Sequence, residues 1–403
     1  MKSKPQKTER IHSLDSLRAI MMLLGLVIHS AITYTVFDFG EGWPLKDPFN
    51  TNLSNDFIVY FIHSFRMPIF FVVAGFFGSL LFYERKPLKM FNNRVSRIVF
   101  PFIVFLLLLW PLLLFAAQYT MIVFDGSNTA YSSLASYFTN PLIFIPQGTF
   151  HLWFLYYLSI ITFSSLILGL IFKKLPRLSK QISKSFSWII TKPIIRILIF
   201  SGFMSIICFW KETYIMEPPF SLIPNFKIFI FYFFFYIIGW VLFKSKHLLN
   251  HFMRYDWGCF ILGLVLICVH FLSMSSLSLE LNILINSVIV WLLIFGITGL
   301  FIRHGSKHSK LMRYISDASY WVYLVHLFFT LLIPSFIVDW SIPATLKFLF
   351  VFISTGIICF VSYHYLVRGS FIGKFLNGRK YSRKLADIKH EQNSTQLKSI
   401  LNK

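Results

Sequence analysis

Apolar stretches of about 18 to 25 residues, separated by short polar connections, recur along nearly the whole chain. Each is long enough to cross a hydrocarbon core of roughly 30 Å as a helix. Apolar length and flanking charge predict helices near residues 14–36, 57–82, 95–117, 151–172, 193–210, 226–243, 257–274, 281–302, 314–336 and 343–367. The expected fold class is all-α, a polytopic integral membrane protein with about ten transmembrane helices. The first stretch carries Arg18 and His29 and lacks a small-residue cleavage site, so it reads as a mature spanning helix and not a removable signal peptide.

Composition agrees with that class. Of 403 residues, 56% are hydrophobic and only 13% charged, which excludes an ordinary soluble globular protein. Lysine and arginine number 38 against 16 acidic residues, and in an aqueous domain this excess would suggest nucleic acid. Their placement argues otherwise. Thirty-two of the 38 fall in the N-terminal segment (Lys2, Lys4, Lys7, Arg10), in the alternate connections 85–97, 173–196, 244–254 and 303–313, and in the tail from Arg368. The opposite connections and their margins hold only Lys46, Lys211, Lys227 and Lys347. This alternation predicts that both termini are cytoplasmic, that the charge sets topology and touches anionic lipid headgroups, and that nucleic acid is not a partner. The longest opposite connection, about 118–150, holds Asp125, Gly126, Asn140 and Pro141 and no lysine or arginine. A membrane domain is expected over 1–372 and a polar basic cytoplasmic tail over 373–403, including Lys384, Asp387, Lys389 and Glu391. The absence of an internal repeat counts against an inverted-repeat transporter. Cys208, Cys259, Cys268 and Cys359 all lie in apolar stretches without metal-ligand spacing, so neither a disulfide nor a metal site is expected.

Ionisable groups inside the apolar stretches are the candidates for chemistry, because each costs roughly 2.5 to 3.5 kcal/mol on insertion scales. Arg18 and His29 are eleven residues apart, three helical turns plus about 20°, and share one face at about 16 Å of rise. Asp15 sits one turn before Arg18 and is placed to pair with it. On the second helix His63 and Arg66 are one turn apart, at a depth near that of His29, so the two imidazoles are expected to approach. Pro68 and Gly75 are expected to kink or thin that helix and make room for a ligand. Arg94 and Arg97 stand one turn apart at the basic mouth of the third helix, an arrangement suited to phosphate or simply to setting topology. His151 opens the fourth helix beside Trp153, as a site residue or an interfacial anchor. His326, in Tyr323-Leu-Val-His326, lies near the middle of the ninth, as a site residue or a helix-to-helix bond. His270, His364 and the His304/His308 pair read as interfacial or loop residues.

These residues carry a resemblance. Leu14-Asp15-Ser-Leu-Arg18 with His29, Phe65-x-x-Pro68-x-Phe70-Phe71 with Gly75, and Arg94-x-x-Arg97-x-x-x-Pro101 resemble the membrane-bound acyltransferase-3 family. Asn55-Asp56-Phe57, His63-Ser-Phe-Arg66, His151-Leu-Trp153-Phe154 and Tyr323-Leu-Val-His326 are similar to its branch that succinylates osmoregulated periplasmic glucans. One departure follows His326, where that branch can carry a second histidine and a proline and this chain has Leu327-Phe328.

The resemblance implies a ten-helix inner-membrane enzyme that moves an acyl group, succinyl or acetyl, from a cytoplasmic acyl-CoA to a carbohydrate hydroxyl on the outer side. No permanently bound cofactor is implied; acyl-CoA is a donor substrate, and an extracytoplasmic glucan or other polysaccharide is the acceptor. Such transfer needs a base for the hydroxyl proton and a cation or donor for the oxyanion. His29 is the expected base, with His63 or Arg66 orienting it or stabilising charge. Asp15, Arg18, Arg94, Arg97, His151, Trp153, Tyr323 and His326 are expected to bind substrate. No serine or cysteine in these motifs is an evident nucleophile, and a covalent acyl-histidine stays open beside direct transfer. Two other readings compete: a transporter or flippase for a lipid-linked sugar, and an O-acetyltransferase acting on lipopolysaccharide, exopolysaccharide or a lipid headgroup.

Overall fold

A computed structural model describes residues 12–126, 139, 141–306 and 309–383. The apolar stretches fold as continuous helices, since a backbone in hydrocarbon has to satisfy its own polar groups. In chain order they are α1 (His12–Ala31), α2 (Leu53–Arg85), α3 (Pro87–Arg94), α4 (Phe100–Phe124), α5 (Trp153–Lys174), α6 (Pro176–Thr191), α7 (Pro193–Lys211), α8 (Phe226–Lys244), α9 (Asp256–Ser273), α10 (Leu279–His304), α11 (Lys310–Leu332), α12 (Ala344–Ser362) and α13 (Phe371–Asn377). Local signals place several ends: Asn52, Asn225, Ser278 and Ser309 each accept a backbone N–H of the first turn of the helix they cap. Ten helices, with their one-turn extensions, are long and apolar enough to cross a membrane, and each contains or overlaps one predicted span.

The differences lie at the polar ends. The helix expected from 95 starts earlier, because α3 runs into α4 through a π-helical turn, Val95–Val99. Residues 176–191, expected as a basic connection, form the amphipathic α6. It buries Phe186 and Ile190 and exposes Arg177, Lys180 and Lys184, a pattern too polar to span and suited to lie along an interface. The boundary expected at 372/373 falls inside α13, where Leu376 accepts a hydrogen bond from Arg97 (3.1 Å) and Asn377 donates to the Asp317 carbonyl (3.0 Å). The beginning of the expected tail is therefore packed against the bundle. The cluster Lys2–Arg10, Asn140, His308 and the tail beyond residue 383 lie outside the described residues.

Helices α1, α2, α10 and α11 form the middle of the bundle, and α4, α7, α9 and α12 turn apolar faces such as Leu107, Ile206, Val269 and Ile357 outward. The tightest crossing joins α2 to α8. A Cβ at Gly75 would lie 1.9 Å from the Tyr236 carbonyl oxygen, and one at Gly239 would lie 1.8 Å from that of Val72. This is backbone-on-backbone packing through small residues. The space beside Gly75 thus holds a neighbouring helix, where room for a ligand was expected. Helix α2 continues through Pro68, which lines a cavity on another side.

At the end of the bundle away from the basic connections, the segment between α1 and α2 is pinned by polar contacts. Asp56 accepts the backbone N–H groups of Val36 and Phe37, both at 2.8 Å. Asp47 pairs with Lys347 at 2.9 Å, with side chains 1% and 0% exposed, and Lys347 also donates to the Val338 carbonyl at 2.7 Å. Lys347, expected as a charge at a loop margin, is instead half of a buried ion pair.

Candidate functional site

Between α1, α2, α5 and α11 lies a cavity of about 380 Å³. Its polar groups are His29 from α1, Arg66 from α2, His151 from the 3-10 turn Phe150–Leu152 that opens α5, and Tyr323 and His326 from α11. Met21, Met22, Met67, Phe70, Trp153 and Phe154 supply apolar walls. The His326 ring stands with its centroid 5.3 Å from that of His29 and 5.3 Å from that of His151. Both histidines that sequence reasoning left between a site and a structural role therefore join His29 in one cluster. They come from three elements far apart in sequence.

Hydrogen bonds set which ring nitrogen can act. The Nδ1 of His326 donates to the carbonyls of Tyr323 (2.8 Å) and Val322 (3.0 Å). Its Nε2 then carries the lone pair, and that atom is buried without a partner among the described residues. His151 is the mirror case: Nε2 donates to the Leu324 carbonyl at 3.0 Å, and Nδ1 is left buried and unpartnered. Tyr323 steadies His151 by donating to its backbone carbonyl at 2.7 Å. The Nδ1 of His29 is also buried without a partner among the described residues.

Arg66 reaches across the cavity toward α1. A Cβ at Gly25 would fall 2.6 Å from Arg66 Nη1 and 3.8 Å from His326 Nε2, so the missing side chain of Gly25, one turn before His29, is what admits the guanidinium. No carboxylate pairs with Arg66 among the described residues; Nη2 meets only the Met67 sulfur at 3.5 Å, and Nε is unpartnered. A cation buried without a counter-charge is matched to a ligand that brings negative charge.

His63 is not part of this cluster. Its Nε2 donates to the Met216 carbonyl at 3.0 Å and the ring lines a second cavity, so it acts on His29 only electrostatically and the expected meeting of the two imidazoles does not occur. The cause is angular. Three residues along a helix leave about 60° between side chains, enough for His63 and Arg66 to face different cavities.

At the basic end, Arg18 pairs with Asp15 at 3.4 Å and packs on Phe77, as the spacing predicts. Arg94 lies within electrostatic reach of Arg18, with Nε and Nη2 buried and unpartnered among the described residues. Arg97 is differently committed: it donates to the C-terminal end of α13 at Leu376, and Tyr320 donates to its carbonyl at 2.9 Å. The two arginines thus differ in their partners: Arg94 keeps two buried nitrogens unpartnered among the described residues, and Arg97 is tied to α13.

Two residues near these cavities escape a reading by span and charge. Trp43, in the connection after α1, stacks on His29 at 5.3 Å and 20°, and its Nε1 donates to Thr33 at 3.0 Å. His270, expected at an interface, is 1% exposed and bonded on both nitrogens, to Tyr60 and Asn282. An isolated tryptophan in a loop carries no periodic signal. For His270 the available signal was its place inside an apolar stretch, the same one that marked His29.

The arrangement supplies imidazoles with free lone pairs able to take a proton and a cation able to stabilise an oxyanion, the two requirements of acyl transfer. Comparison with known proteins points the same way. A family model described as an acyltransferase domain matches residues 11–364. Curated relatives named "Glucans biosynthesis protein C" from Escherichia coli strain K12 and from Escherichia coli O157:H7 are each 27% identical over 349 residues, covering 83% of this chain and 85% of the relative. The protein of that name from Shigella dysenteriae serotype 1 gives the same figures. No solved structure matches the chain. A family match over most of the length, on a bundle of ten apolar helices, means that this chain belongs to the acyltransferase-3 family of multi-pass membrane acyltransferases.

Proposed function

We propose that the protein is an integral membrane O-acyltransferase of the inner membrane. It takes an acyl group, preferably succinyl, from acyl-CoA at the basic end and transfers it to a hydroxyl of an extracytoplasmic glucan or related envelope polysaccharide. The observation that carries this reading is the convergence of His29, His151, His326 and Arg66 on one cavity without a carboxylate. The relatives' name supports a glucan acceptor. The unpartnered nitrogens of Arg94, close to Arg18, support a phosphate-bearing donor at the other end.

In this reading His29 removes the hydroxyl proton as the oxygen attacks the thioester carbonyl. Arg66 stabilises the resulting oxyanion, and the thiolate of the donor leaves as the tetrahedral intermediate collapses and takes up a proton. Trp43 holds the His29 ring by stacking. His151 and His326, with ring orientations fixed by backbone carbonyls, offer lone pairs that receive donors of the substrate and align it. Transfer is direct, without a covalent enzyme intermediate.

The test is His29→Ala at matched membrane levels, with mass analysis of envelope glycans and turnover of purified protein. A loss of about 10²- to 10⁴-fold in transfer is expected, together with loss of a succinyl-sized increment from the glucans. Near-normal turnover would remove His29 as the base, and an unchanged glycan profile would remove the glucan as acceptor.

A further inference from the structure

The second cavity, about 370 Å³, lies between α2, α7, α8, α10 and the connection that carries Tyr214 and Met216. Several of its polar groups are fixed as hydrogen-bond acceptors, beside the hydroxyls of Tyr214 and Tyr232. Asn282 Nδ2 donates to the carbonyls of Met274 (3.0 Å) and Leu277 (3.2 Å), which turns its Oδ1 toward His270. The Nε2–H of His270 donates to that oxygen at 2.7 Å, so Nδ1 accepts the Tyr60 hydroxyl proton at 2.6 Å. The proton of Tyr60 is committed, and its oxygen faces the cavity only as an acceptor. Asn286 repeats the pattern: Nδ2 donates to the Tyr214 carbonyl at 2.5 Å, while Oδ1 is buried without a partner among the described residues, in a residue only 4% exposed. His63 spends its Nε2–H on Met216, leaving Nδ1 as an acceptor.

No lysine, arginine, aspartate or glutamate lines the space, and Tyr214, Phe231 and Tyr232 give it aromatic faces. A carboxylate or phosphate would meet the fixed acceptors Asn286 and Tyr60, and no cation lines the space. An alkyl chain would leave the Asn286 oxygen unpaired, at the cost of a buried acceptor. A neutral molecule rich in hydroxyl donors, with a flat ring face, satisfies both features. The cavity also adjoins the histidine cluster: Tyr232 in its wall packs on Trp153 of the first cavity at 5.3 Å, and His63 is three residues from Arg66.

We propose that this second cavity is a carbohydrate subsite, in which Asn286 and Tyr60 accept hydroxyl protons of a neutral sugar ring and the aromatic walls cover its face. The assignment rests on the acyltransferase reading for its role, that of holding the acceptor beside the histidine cluster. Its chemistry is shared by a soluble glucan and by the sugar of a glycolipid, and the test separates them.

The full-length protein in lipid discs, free of sugar-headed detergent, is titrated with a short gluco-oligosaccharide in one arm. In the other it is reconstituted with a glucose-headed lipid, and binding is read calorimetrically without donor. Binding is expected in at least one arm, weakened about tenfold or more by Asn286→Ala and abolished by Met216→Trp, which fills the space from the connecting segment. No binding in either arm, or equal binding by the wild type and the two cavity variants, overturns the subsite. The two readings fail separately. Sugar binding with this pattern but no acyl transfer to that sugar would remove the acyltransferase role and keep the subsite; transfer to a sugar whose binding ignores both substitutions would do the reverse.

Discussion

Single residues decide what the first cavity can bind. Arg66 is held among apolar walls without a carboxylate, and its planar fork matches a carboxylate in two-point contact. If Arg66 holds the free carboxylate of a succinyl group as well as the oxyanion, Arg66→Ala depresses succinyl transfer more than acetyl transfer in a paired assay with the two acyl-CoAs, and Arg66→Lys does not restore the preference. Equal loss on both donors would confine Arg66 to the oxyanion. Gly25 offers a quieter route to the same guanidinium. Since a Cβ there would stand 2.6 Å from Nη1, Gly25→Val displaces the tip of a flexible side chain and no backbone. The variant is expected to fold normally and lose at least tenfold in kcat; unchanged kcat would show that the position of the guanidinium does not matter to turnover. The sequence exposed Arg66 and His29 because charge and imidazole stand out in apolar stretches. It did not reveal their company: His151 and His326 reach the cluster only through tertiary packing, and His63 leaves it by an angular offset of about 60° that a shared-face argument passes over.

At the scale of elements, the ten spans were legible because hydrocarbon demands one long apolar helix per crossing, a strong and simple signal. The elements without that signal were not. Helix α6 needs a helical period and not mean hydropathy to be seen, and α13 is defined by where it docks, on Arg97 and Asp317. The α2–α8 crossing also hides in the sequence, since glycine is common in membrane helices and only its neighbour gives it meaning. Here the contrast between two glycines makes a prediction. Gly239→Leu pushes a side chain into the Val72 carbonyl and forces two backbones apart, whereas a Cβ at Gly258 in α9 would meet no other atom within 4 Å. Gly239→Leu is expected to cost more than the roughly 1 to 3 kcal/mol usual for overpacking, seen as loss of the monodisperse protein and a lower unfolding temperature. Gly258→Leu is expected to change neither, and comparable damage from both would remove backbone contact as the reason for Gly239.

The whole molecule sets two chemistries at different depths of one bundle: cations at the basic end, where two Arg94 nitrogens are unpartnered among the described residues, and imidazoles nearer the other end, beside the cavity lined by Tyr60 and Asn286. Such a division has functional sense only if the two ends face different compartments in a definite order. The alternation of basic and neutral connections predicts that order, with the basic end expected on the cytoplasmic side. Two exposed residues report it: Lys180 on α6 and Glu217 in the connection that borders the second cavity. In a background lacking the four native cysteines, Glu217→Cys is expected to react with a membrane-impermeant maleimide in intact cells. Lys180→Cys is expected to react only after permeabilisation. The reverse result would place the arginines outside and the histidines inside, and a cytoplasmic donor would then meet the wrong end of the molecule. Labelling as expected would set Arg94 where a coenzyme made in the cytoplasm can reach it and the sugar-like cavity where an envelope polysaccharide can. The thiol arm of the coenzyme, which joins its phosphates to the thioester carbonyl, would then span the interval between Arg94 and Arg66, so a donor with that arm shortened is expected to lose kcat because its carbonyl no longer reaches His29 and Arg66.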